Sequence, residues 1–282
     1  MTTIIDHPIP DSNTAGLERV VVVTGATGGI GAAITHKLTE EGYTVLAHYG
    51  KNHERAHKLK NETQQHGGAI HPHSSDLSTP DGIDHLLTAV RNYLTDDQRR
   101  ELHGLVNNAG KLLGPSLTDA TPAGFDNYFA VNTKAPFFLT QQLTPLMPNG
   151  RGSVVNISSA GAHFSSPGDI VYAMSKAALE SLTANAAEAL AARGIRINTV
   201  IPGLTDNGHP AFQDPRLADY LSSLSVLGGV AHPEQVADAI AFLLSDKAAR
   251  ITGAALDVSG GSTLGARPTP TISLHTLASM QT

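Results

Sequence analysis

Short apolar runs alternate with longer amphipathic segments along most of this chain. The first run, RVVVVT at Arg19–Thr24, is rich in β-branched residues and leads through a glycine cluster into the amphipathic segment AAITHKLTEEG. Such a run predicts a buried strand, and the segment after it predicts a helix with one apolar face. Further strands are predicted at Thr44–Tyr49, Ala69–His73, Leu102–Asn107, Gly152–Ile157, Ile195–Val200 and Ala254–Val258.

Helices are predicted between these strands. They cover Asn52–Gln65, Ile83–Leu94, Thr121–Met147, a long Ala-rich segment from Ile170, and Pro233–Leu244. Strands that alternate with helices of this length favour a parallel sheet covered on both faces, so the predicted fold class is α/β with a doubly wound parallel sheet. We predict one domain at 18–264, flanked by tails at 1–17 and 265–282 that carry no periodic pattern.

The stretch Gly203–Ala231 contains no long periodic element. Glycines stand at its ends, and short apolar helical patterns lie between them. This pattern is typical of a hinged flap, and we predict a lid at about 204–230 that becomes ordered when ligands bind. Its apolar residues are expected to form much of a substrate pocket: Leu204, Phe212, Leu217, Tyr220, Leu221, Leu224 and Val226.

The composition narrows the possible functions. The 282 residues carry a net charge of −6, only 16% of them are charged, and no basic cluster is present, which argues against partners such as nucleic acid or an anionic membrane. The absence of Cys excludes disulfides, thiolate catalysis and Cys-ligated metal. The N-terminus lacks a secretion-signal pattern, and no apolar run reaches the roughly 18 residues of a membrane span. We therefore expect a cytoplasmic protein without a metal site.

The glycine cluster TGATGGIG follows the first predicted strand directly and precedes the first predicted helix. Backbone N–H groups at such a junction can cradle the pyrophosphate of a dinucleotide, and the helix dipole favours its negative charge. The alternative is that Gly25, Gly28, Gly29 and Gly31 only allow the strand and the helix to pack closely.

Tyr172 and Lys176 lie four positions apart in YAMSK, and Ser159 lies thirteen residues before Tyr172. On a helix, residues four apart share one face, so the ammonium can lie close to the phenol. A nearby cation favours phenolate and lowers the phenol pKa, which suits proton transfer between an alcohol and a carbonyl. The alternative is a chance YxxxK spacing on a solvated helix.

Seven motifs occur in order along the chain: TGATGGIG, NNAG at Asn107–Gly110, Asn132 in FAVNTKAPFF, NISS ending at Ser159, YAMSK, IRINTVIPG ending at Gly203, and ITGAALDVSGG. In this order and approximate spacing the chain resembles the classical short-chain dehydrogenase/reductase family from about Arg19 to about Leu264, with FabG-like ketoreductases as the nearest branch. The resemblance implies a Rossmann fold and a carbonyl reductase or alcohol dehydrogenase that acts on a small-molecule carbonyl or alcohol.

Two alternatives remain open at this point. The glycines fit TGxxxGxG of classical members and also TGxxGxxG of extended members such as sugar-nucleotide epimerases, although NNAG and LDVSGG favour the classical type. The other alternative is a catalytically silent NADP-binding sensor or structural relative. Such proteins usually lack the Tyr or the Lys of the motif, and this chain keeps both.

The resemblance also assigns roles to residues. Tyr172 is expected to be the general acid in reduction and the general base in oxidation, and Ser159 to hydrogen-bond the substrate oxygen. Lys176 is expected to hold the nicotinamide ribose and to lower the pKa of Tyr172, and Asn132 to anchor a water in the proton relay. The other expected cofactor residues are Gly25, Thr27, Gly28, Gly29, Ile30, Gly31, Asp76, Leu77, Asn108, Ala109, Gly110, Pro202, Gly203 and Thr205.

Three positions depart from the family pattern or fall outside it. Relatives often read PGxxxT after the sixth strand, whereas PGLTDN places Asn207 at the Thr position. An Asn side chain can donate and accept, so it could replace the Thr. His163 and His209 are further candidates for substrate contact, because both are expected on the substrate side.

The end of the second predicted strand indicates the cofactor. In NAD-selective relatives an acidic residue there accepts from the adenosine ribose, and it would repel a 2′-phosphate. In TVLAHYGKN that position is Tyr49, followed by Gly50, Lys51 and Asn52, while Thr27 stands where many NADP-selective members carry a basic residue. Without a carboxylate, and with Lys51 near the start of a helix, we predict that NADP(H) is preferred over NAD(H) and that Tyr49, Lys51 and Asn52 contact it.

Two stretches suggest assembly. TKAPFFLTQQLTPLM and SKAALESLTANAAEALAAR resemble the helices that family members pair across a two-fold axis, and their small residues allow close approach. We therefore predict a homotetramer. The alternative is that both stretches only cover the sheet of one subunit.

Overall fold

The computed structural model describes residues 16–206, 212 and 214–264. Its strands are β1 (Glu18–Val23), β2 (Thr44–Tyr49), β3 (Ala69–Ser74), β4 (Arg100–Asn107), β5 (Ser153–Ile157), β6 (Arg196–Pro202) and β7 (Ala255–Val258). Its α-helices are α1 (Gly29–Glu40), α2 (His53–Gln65), α3 (Pro80–Thr95), α4 (Pro122–Phe129), α5 (Ala135–Leu143), α6 (Ile170–Ala191), α7 (Pro215–Ser223) and α8 (Pro233–Leu244).

The strands form one sheet in the order β3-β2-β1-β4-β5-β6-β7, and every neighbouring pair is parallel. The chain runs outward from β1 to β3 and then returns to place β4 on the other side of β1. Ligands of doubly wound sheets bind at the carboxyl ends of the strands, where the strand order reverses. In this fold that point lies between β1 and β4.

Both faces of the sheet are buried. In β1, Val20 and Val22 pack into a core with α3 and α5, whereas Val21 and Val23 pack into a core with α1, α2 and α8, and all four are 0% exposed. Burial on both faces is the reason that this strand is a continuous apolar run and not an alternating one.

The predicted α/β fold with a doubly wound parallel sheet is confirmed, and each predicted strand is present within two residues of its expected ends. The helical stretch predicted at Thr121–Met147 is present from Pro122 to Leu146, but not all of its turns are α-helical. A π-helical turn at Ala130–Lys134 divides Thr121–Met147 into α4 and α5, because the buried Asn132 turns its amide toward the segment after β4. The stretch expected to be irregular between Gly203 and Ala231 contains α7.

The predicted tails fall outside the described residues except for 16 and 17, and residues 207–211 and 213 of the predicted lid are also outside them. Among the helices of the described ranges, none combines the length and the apolar character needed to cross a membrane.

Candidate active site

A cavity of about 1110 Å³ lies at the carboxyl ends of β1, β4, β5 and β6. Its walls come from the glycine turn after β1, the NNAG segment after β4, the Ser159 segment after β5 and the PG segment after β6. Ser159, Tyr172 and Lys176 all line it. The sheet topology therefore brings together motifs that are far apart in the sequence.

Tyr172 and Lys176 lie one turn apart on α6. Lys176 is 3% exposed, and its Nζ lies 5.9 Å from the centre of the Tyr172 ring. The same Nζ donates a hydrogen bond to Ile157 O at 2.7 Å, at the end of β5. Ser159 follows two residues later and hydrogen-bonds the Tyr172 side chain. A phenol, a hydroxyl and an ammonium thus form one cluster on the cavity wall.

Burial determines the ionisation of this cluster. It raises the pKa of Tyr172 to about 12, although the hydrogen bond with Ser159 acts in the opposite direction. It also lowers the pKa of Lys176 to about 8, against the attraction of Glu180. The net shift of the Tyr172 pKa is therefore upward, opposite to the lowering expected from Lys176, because desolvation of the phenol is the largest effect. At pH 7 the phenol is therefore neutral.

Asn132 lies behind the cavity wall and hydrogen-bonds two of the segments that form it. It is 0% exposed, its Oδ1 accepts from Lys111 N at 2.7 Å, and its Nδ2 donates to Lys111 O at 3.1 Å. Nδ2 also donates to Ser175 Oγ at 2.9 Å, and Ser175 Oγ donates to Tyr172 O at 2.7 Å. Asn132 therefore connects the segment after β4 to the helix that carries Tyr172. It does not line the cavity, and its predicted role of anchoring a water stays a prediction.

The glycines of the first turn differ in what they do. A Cβ on Gly31 would lie 2.1 Å from Gly25 O, and Gly25, with a φ of 63°, would bring a Cβ to 2.8 Å from Ala109 Cα. These two positions require glycine for packing and for backbone conformation. A Cβ on Gly28 would meet only Gly25 O, at 3.5 Å, and Gly28 is the exposed N-cap of α1 with no side-chain cap. The uncapped amides that begin α1 are therefore available to an anion in the cavity.

His48 on β2 connects this turn to the end of β3. Its Nδ1 accepts from Gly25 N at 3.3 Å, and its Nε2 lies 3.0 Å from Ser75 O. Because an amide N–H can only donate and a carbonyl can only accept, the proton must be on Nε2. His48 is 3% exposed, and burial lowers its pKa to about 4, so it is neutral at pH 7. The motif analysis missed this residue, although it lies next to Tyr49.

Tyr49, predicted to contact the cofactor, does not line the cavity. It is 8% exposed, and its hydroxyl lies 3.0 Å from His53 Nδ1. Successive side chains of a strand point to opposite faces, so Tyr49 points away from the side on which His48 and Gly50 line the cavity.

Asn52 is the second predicted cofactor residue that does not line the cavity. Its Oδ1 accepts from Arg55 N at 2.9 Å, so its side chain caps α2. Arg55 itself lines the cavity together with the predicted Lys51, and sequence reasoning missed it. Two cations of the α2 region therefore border this part of the cavity.

The remaining predicted cofactor residues all line the cavity: Gly25, Thr27, Gly28, Gly29, Ile30, Gly31, Asp76, Leu77, Asn108, Ala109, Gly110, Pro202, Gly203 and Thr205. Asn108 Nδ2 donates to Thr24 O at 2.9 Å and to Gly25 O at 3.0 Å, which holds the NNAG segment against the glycine turn. The hydroxyl of Thr205 donates to Gly203 O at 3.1 Å. Asn207 lies outside the described residues.

The predicted substrate pocket is partly as expected. Five of its predicted residues line the cavity, namely Leu204, Phe212, Tyr220, Leu221 and Leu224. Val226 does not line the cavity and is 65% exposed. The side chain of Leu217 and the whole of His209 are not among the parts of the chain that the structure describes. His163 is not on the cavity wall but pairs with Glu180. Sequence reasoning missed apolar wall residues on other loops: Leu112, Leu113, Val131 and Phe164.

Known proteins resemble the chain over nearly its whole length. A family model described as enoyl-(acyl carrier protein) reductase matches residues 25–263. The chain is 33% identical over 245 residues to the 3-oxoacyl-[acyl-carrier-protein] reductase FabG of Thermotoga maritima, which covers 86% of this chain and 97% of the relative. It is 32% identical over 247 residues to the uncharacterized oxidoreductase YmfI of Bacillus subtilis, which covers 87% of this chain and 99% of the relative.

Solved structures of reductases superpose closely on this fold. The angucycline C-6 ketoreductase LanV with bound NADP is 39% identical, with a TM-score of 0.83 over 89% of this chain and 98% of LanV. LugOII, a promiscuous reductase that catalyses keto-reduction at C1 during lugdunomycin biosynthesis, is 35% identical, with a TM-score of 0.84 over 88% of this chain and 99% of LugOII. The extended-type alternative finds no support in these matches. The chain belongs to the classical short-chain dehydrogenase/reductase family, in its FabG-like branch, a family of oxidoreductases that use nicotinamide cofactors.

Proposed function

We propose that this protein is an NADP(H)-dependent ketoreductase that interconverts a ketone and an alcohol on a largely apolar small molecule. The observation that carries the proposal is the cluster of Ser159, Tyr172 and Lys176 in the same cavity as the open N-terminus of α1. Carbonyl reduction requires both a proton donor and a dinucleotide site beside it. A silent sensor would require only the dinucleotide site.

The residues around the cavity fit a nicotinamide dinucleotide. The uncapped amides at the start of α1 suit a pyrophosphate, and Gly28 leaves the approach open. Lys51 and Arg55 on the cavity wall suit a 2′-phosphate, because charge-assisted hydrogen bonds to phosphate are strong. LanV has been solved with bound NADP. Together these observations support NADP(H) over NAD(H).

The reaction follows from the cluster on α6. When bound, the nicotinamide cofactor supplies the hydride in reduction and accepts it in oxidation. Tyr172 donates a proton to the substrate oxygen, because its raised pKa keeps the phenol neutral at pH 7. Ser159 donates a hydrogen bond to the same oxygen and so orients the carbonyl. Lys176, with a pKa of about 8, is mostly protonated at pH 7, and its ammonium stabilises the phenolate that remains.

The cavity wall favours an apolar ketone. Leucine and aromatic side chains dominate the part around α7 and the segment after β4, and Lys111, Asp119 and Asp169 also line the cavity. With two carboxylates and one ammonium among these three, the wall offers little attraction for a phosphate-bearing acyl carrier. A LanV structure contains NADP and rabelomycin. We therefore expect an angucycline-type ketone or a smaller fused-ring analogue in preference to a carrier-bound 3-oxoacyl group.

A substrate panel tests this function. Purified protein with NADPH should reduce 1-tetralone and rabelomycin with a higher kcat/KM than acetoacetyl-CoA, measured as loss of NADPH absorbance and as alcohol product. Turnover of crotonyl-CoA alone, an enoyl thioester without a ketone, would point to double-bond reduction. Tight NADPH binding without turnover of any carbonyl would support the silent sensor and overturn the proposal.

Substitution of Tyr172 tests the proton donor. Tyr172→Phe should lower kcat on the best ketone by at least about 100-fold, the lower end of what general acid catalysis contributes, while NADPH binding is retained. Lys176→Ala should reduce both kcat and NADPH affinity. The matched control is Tyr93→Phe, which removes the same atom from a tyrosine that contacts Glu18 and His71 and does not line the cavity. Near-normal activity of Tyr172→Phe would contradict the assignment.

A further inference from the structure

A small network joins the Ser159 segment to α6 outside the catalytic cluster. Glu180 Oε1 lies 3.0 Å from His163 Nε2 and accepts a short hydrogen bond from Ser158 Oγ. The side chains of Glu180 and His163 are 19% and 34% exposed, and Ser158 is 3% exposed. Ser158 directly precedes Ser159, and His163 follows Ser159 by four residues. The two contacts of Glu180 therefore bracket the serine of the catalytic cluster.

Glu180 continues a set of contacts that Lys176 begins. Lys176 Nζ donates to Ile157 O at 2.7 Å, and Glu180, one helical turn later, accepts from Ser158. Residues four apart share one helix face, so the two side chains hold consecutive residues of the same segment. Through Lys176 and Glu180 the end of β5 and the turn after it are attached to the helix that carries Tyr172.

The other polar contacts of this turn are mostly local. Ser159 Oγ accepts from Gly161 N at 3.1 Å, Ala162 N donates to Ser159 O at 3.0 Å, and His163 N donates to Ala160 O at 3.0 Å. These bonds shape the turn, but they do not fix its position relative to α6. Polar contacts between the turn and α6 are made by Ser159 with the Tyr172 side chain and by Ser158, whose Oγ also donates to Lys176 O at 3.4 Å. Glu180 adds a contact on each side of Ser159, with Ser158 and with His163.

We propose that Glu180 is a positioning residue for carbonyl reduction, with Ser158 and His163 as its anchors on the Ser159 turn. The inference rests on the proposed reductase function. Glu180 holds Ser159 at the distance from Tyr172 at which both can reach one substrate oxygen. Loss of Glu180 shifts the turn and raises the barrier to proton transfer, while the cofactor trough stays intact.

Kinetics of four single variants and one double variant test the role. With 1-tetralone as substrate, Glu180→Ala should lower kcat by about tenfold or more, because displacements of about 1 Å at a catalytic group have effects of this size. Its Kd for NADPH should stay unchanged. Glu180→Gln should recover most of kcat, since an amide oxygen accepts the same two hydrogen bonds. Ser158→Ala and His163→Ala should lower kcat in the same way, and Ser158→Ala combined with Glu180→Ala should be no worse than the poorer single variant.

The control is Glu188→Ala, which removes an exposed glutamate two turns further along α6. A second readout needs neither substrate nor cofactor: amide hydrogen exchange of Ala162 and His163 should be faster in Glu180→Ala than in the parent or in Glu188→Ala. This readout separates the inference from the proposed function, because it remains valid for a protein without reductase activity. The proposal is overturned by unchanged kcat and exchange in Glu180→Ala, or by a loss of kcat that Glu180→Gln does not recover.

Discussion

His48 makes the stability of the glycine turn depend on pH. Its neutral ring accepts from Gly25 N, and protonation of Nδ1 would remove that acceptor. Because burial lowers the pKa of His48 from 6.5 to about 4, the unfolded chain binds more protons than the folded chain between these pH values. Stability is therefore lost as the pH falls through this window, by about 2 to 3 kcal/mol between pH 7 and pH 4.5.

His48→Gln isolates this effect. Its amide can still donate to Ser75 O but does not titrate, so the parent should lose about 2 to 3 kcal/mol more than the variant over the same pH range. Urea unfolding at the two pH values measures the difference. Other histidines with lowered pKa, such as His103, are present in both proteins and cancel. Parallel loss of stability in both proteins would show that His48 is not the group that titrates.

The preference for NADP(H) over NAD(H) also depends on single residues. A carboxylate introduced at Gly50 tests this preference better than one introduced at Tyr49. A Cβ on Gly50 would meet nothing within 4 Å, and Gly50 lines the cavity, whereas a carboxylate at the buried Tyr49 would destabilise the fold. Gly50→Asp should lower kcat/KM for NADPH by about ten- to a hundredfold, equivalent to about 1 to 3 kcal/mol, with little effect on NADH. Gly50→Asn is the uncharged control of nearly equal size.

Removal of either cation on the same wall should have the same selective effect as adding a carboxylate at Gly50. Lys51→Ala and Arg55→Ala should each weaken NADPH selectively and leave NADH nearly unchanged, because only a 2′-phosphate uses their charge. Lys58→Ala is the control, since Lys58 lies on α2 with its side chain 74% exposed and pairs with Glu62. Equal or better kcat/KM with NADH in the unmodified protein would contradict the preference for NADP(H).

At the scale of residues, the sequence identifies the motifs that line the cavity. It is less successful at identifying which side chain within a motif faces the cavity. Ser159, Tyr172 and Lys176 stand on the wall, as their spacing indicated. Counting along β2 placed the cofactor contact at Tyr49, yet a strand alternates sides and the residues on the cavity side are the neighbours, His48 and Gly50. All six residues of β2 are buried, so polar and apolar residues do not alternate along it. The sequence of this strand therefore does not show which residues face the cavity.

At the scale of elements, the predicted lid between 204 and 230 stays a prediction. The part within the described residues includes α7, whose Tyr220 and Leu221 line the cavity. Gly228 and Gly229, each with a φ of 72°, end this stretch, and the predicted hinge lies there because glycine adopts such angles without strain.

Hydrogen exchange tests the lid directly. Addition of NADPH and 1-tetralone should slow the exchange of α7 amides, because closure over the ligands orders that helix. The amides of α8, whose Val236, Ala237 and Ile240 are almost completely buried without ligand, serve as the internal control. Equal protection of α7 with and without both ligands would remove the lid from the mechanism.

The division of one predicted helix into α4 and α5 illustrates what periodicity cannot show. The apolar pattern continues through the π-helical turn, and the interruption depends on the contacts of Asn132 with Lys111, twenty-one residues earlier in the chain. Contacts of this kind join separate elements and are set by the tertiary structure. By contrast, the sheet was predictable, because short β-branched runs between amphipathic segments leave few topologies open.

At the scale of the whole molecule, the surface of α5 and α6 is unusually apolar for solvent contact. Phe137 and Phe138 on α5 are 43% and 38% exposed, Met174 on α6 is 46% exposed, and Leu146 just after α5 is 39% exposed. Exposed apolar residues also occur elsewhere in the described chain, Leu117 and Leu227 among them, but these four lie on or next to the two helices for which the sequence predicted pairing. The alternative, in which these helices only cover the sheet, does not account for the apolar side chains that point outward.

We therefore expect a homotetramer in solution, with a mass by light scattering of four times the 29.4 kDa of the chain. Phe137→Glu should lower this mass, because a charge at the centre of an apolar interface loses its hydration without gaining a partner. The control is Leu117→Glu, at a site 80% exposed on the loop before α4, which should leave the mass unchanged. A parent mass near 29.4 kDa at micromolar concentration would contradict any assembly. An unchanged mass of Phe137→Glu would show instead that the interface is not formed by this face of α5.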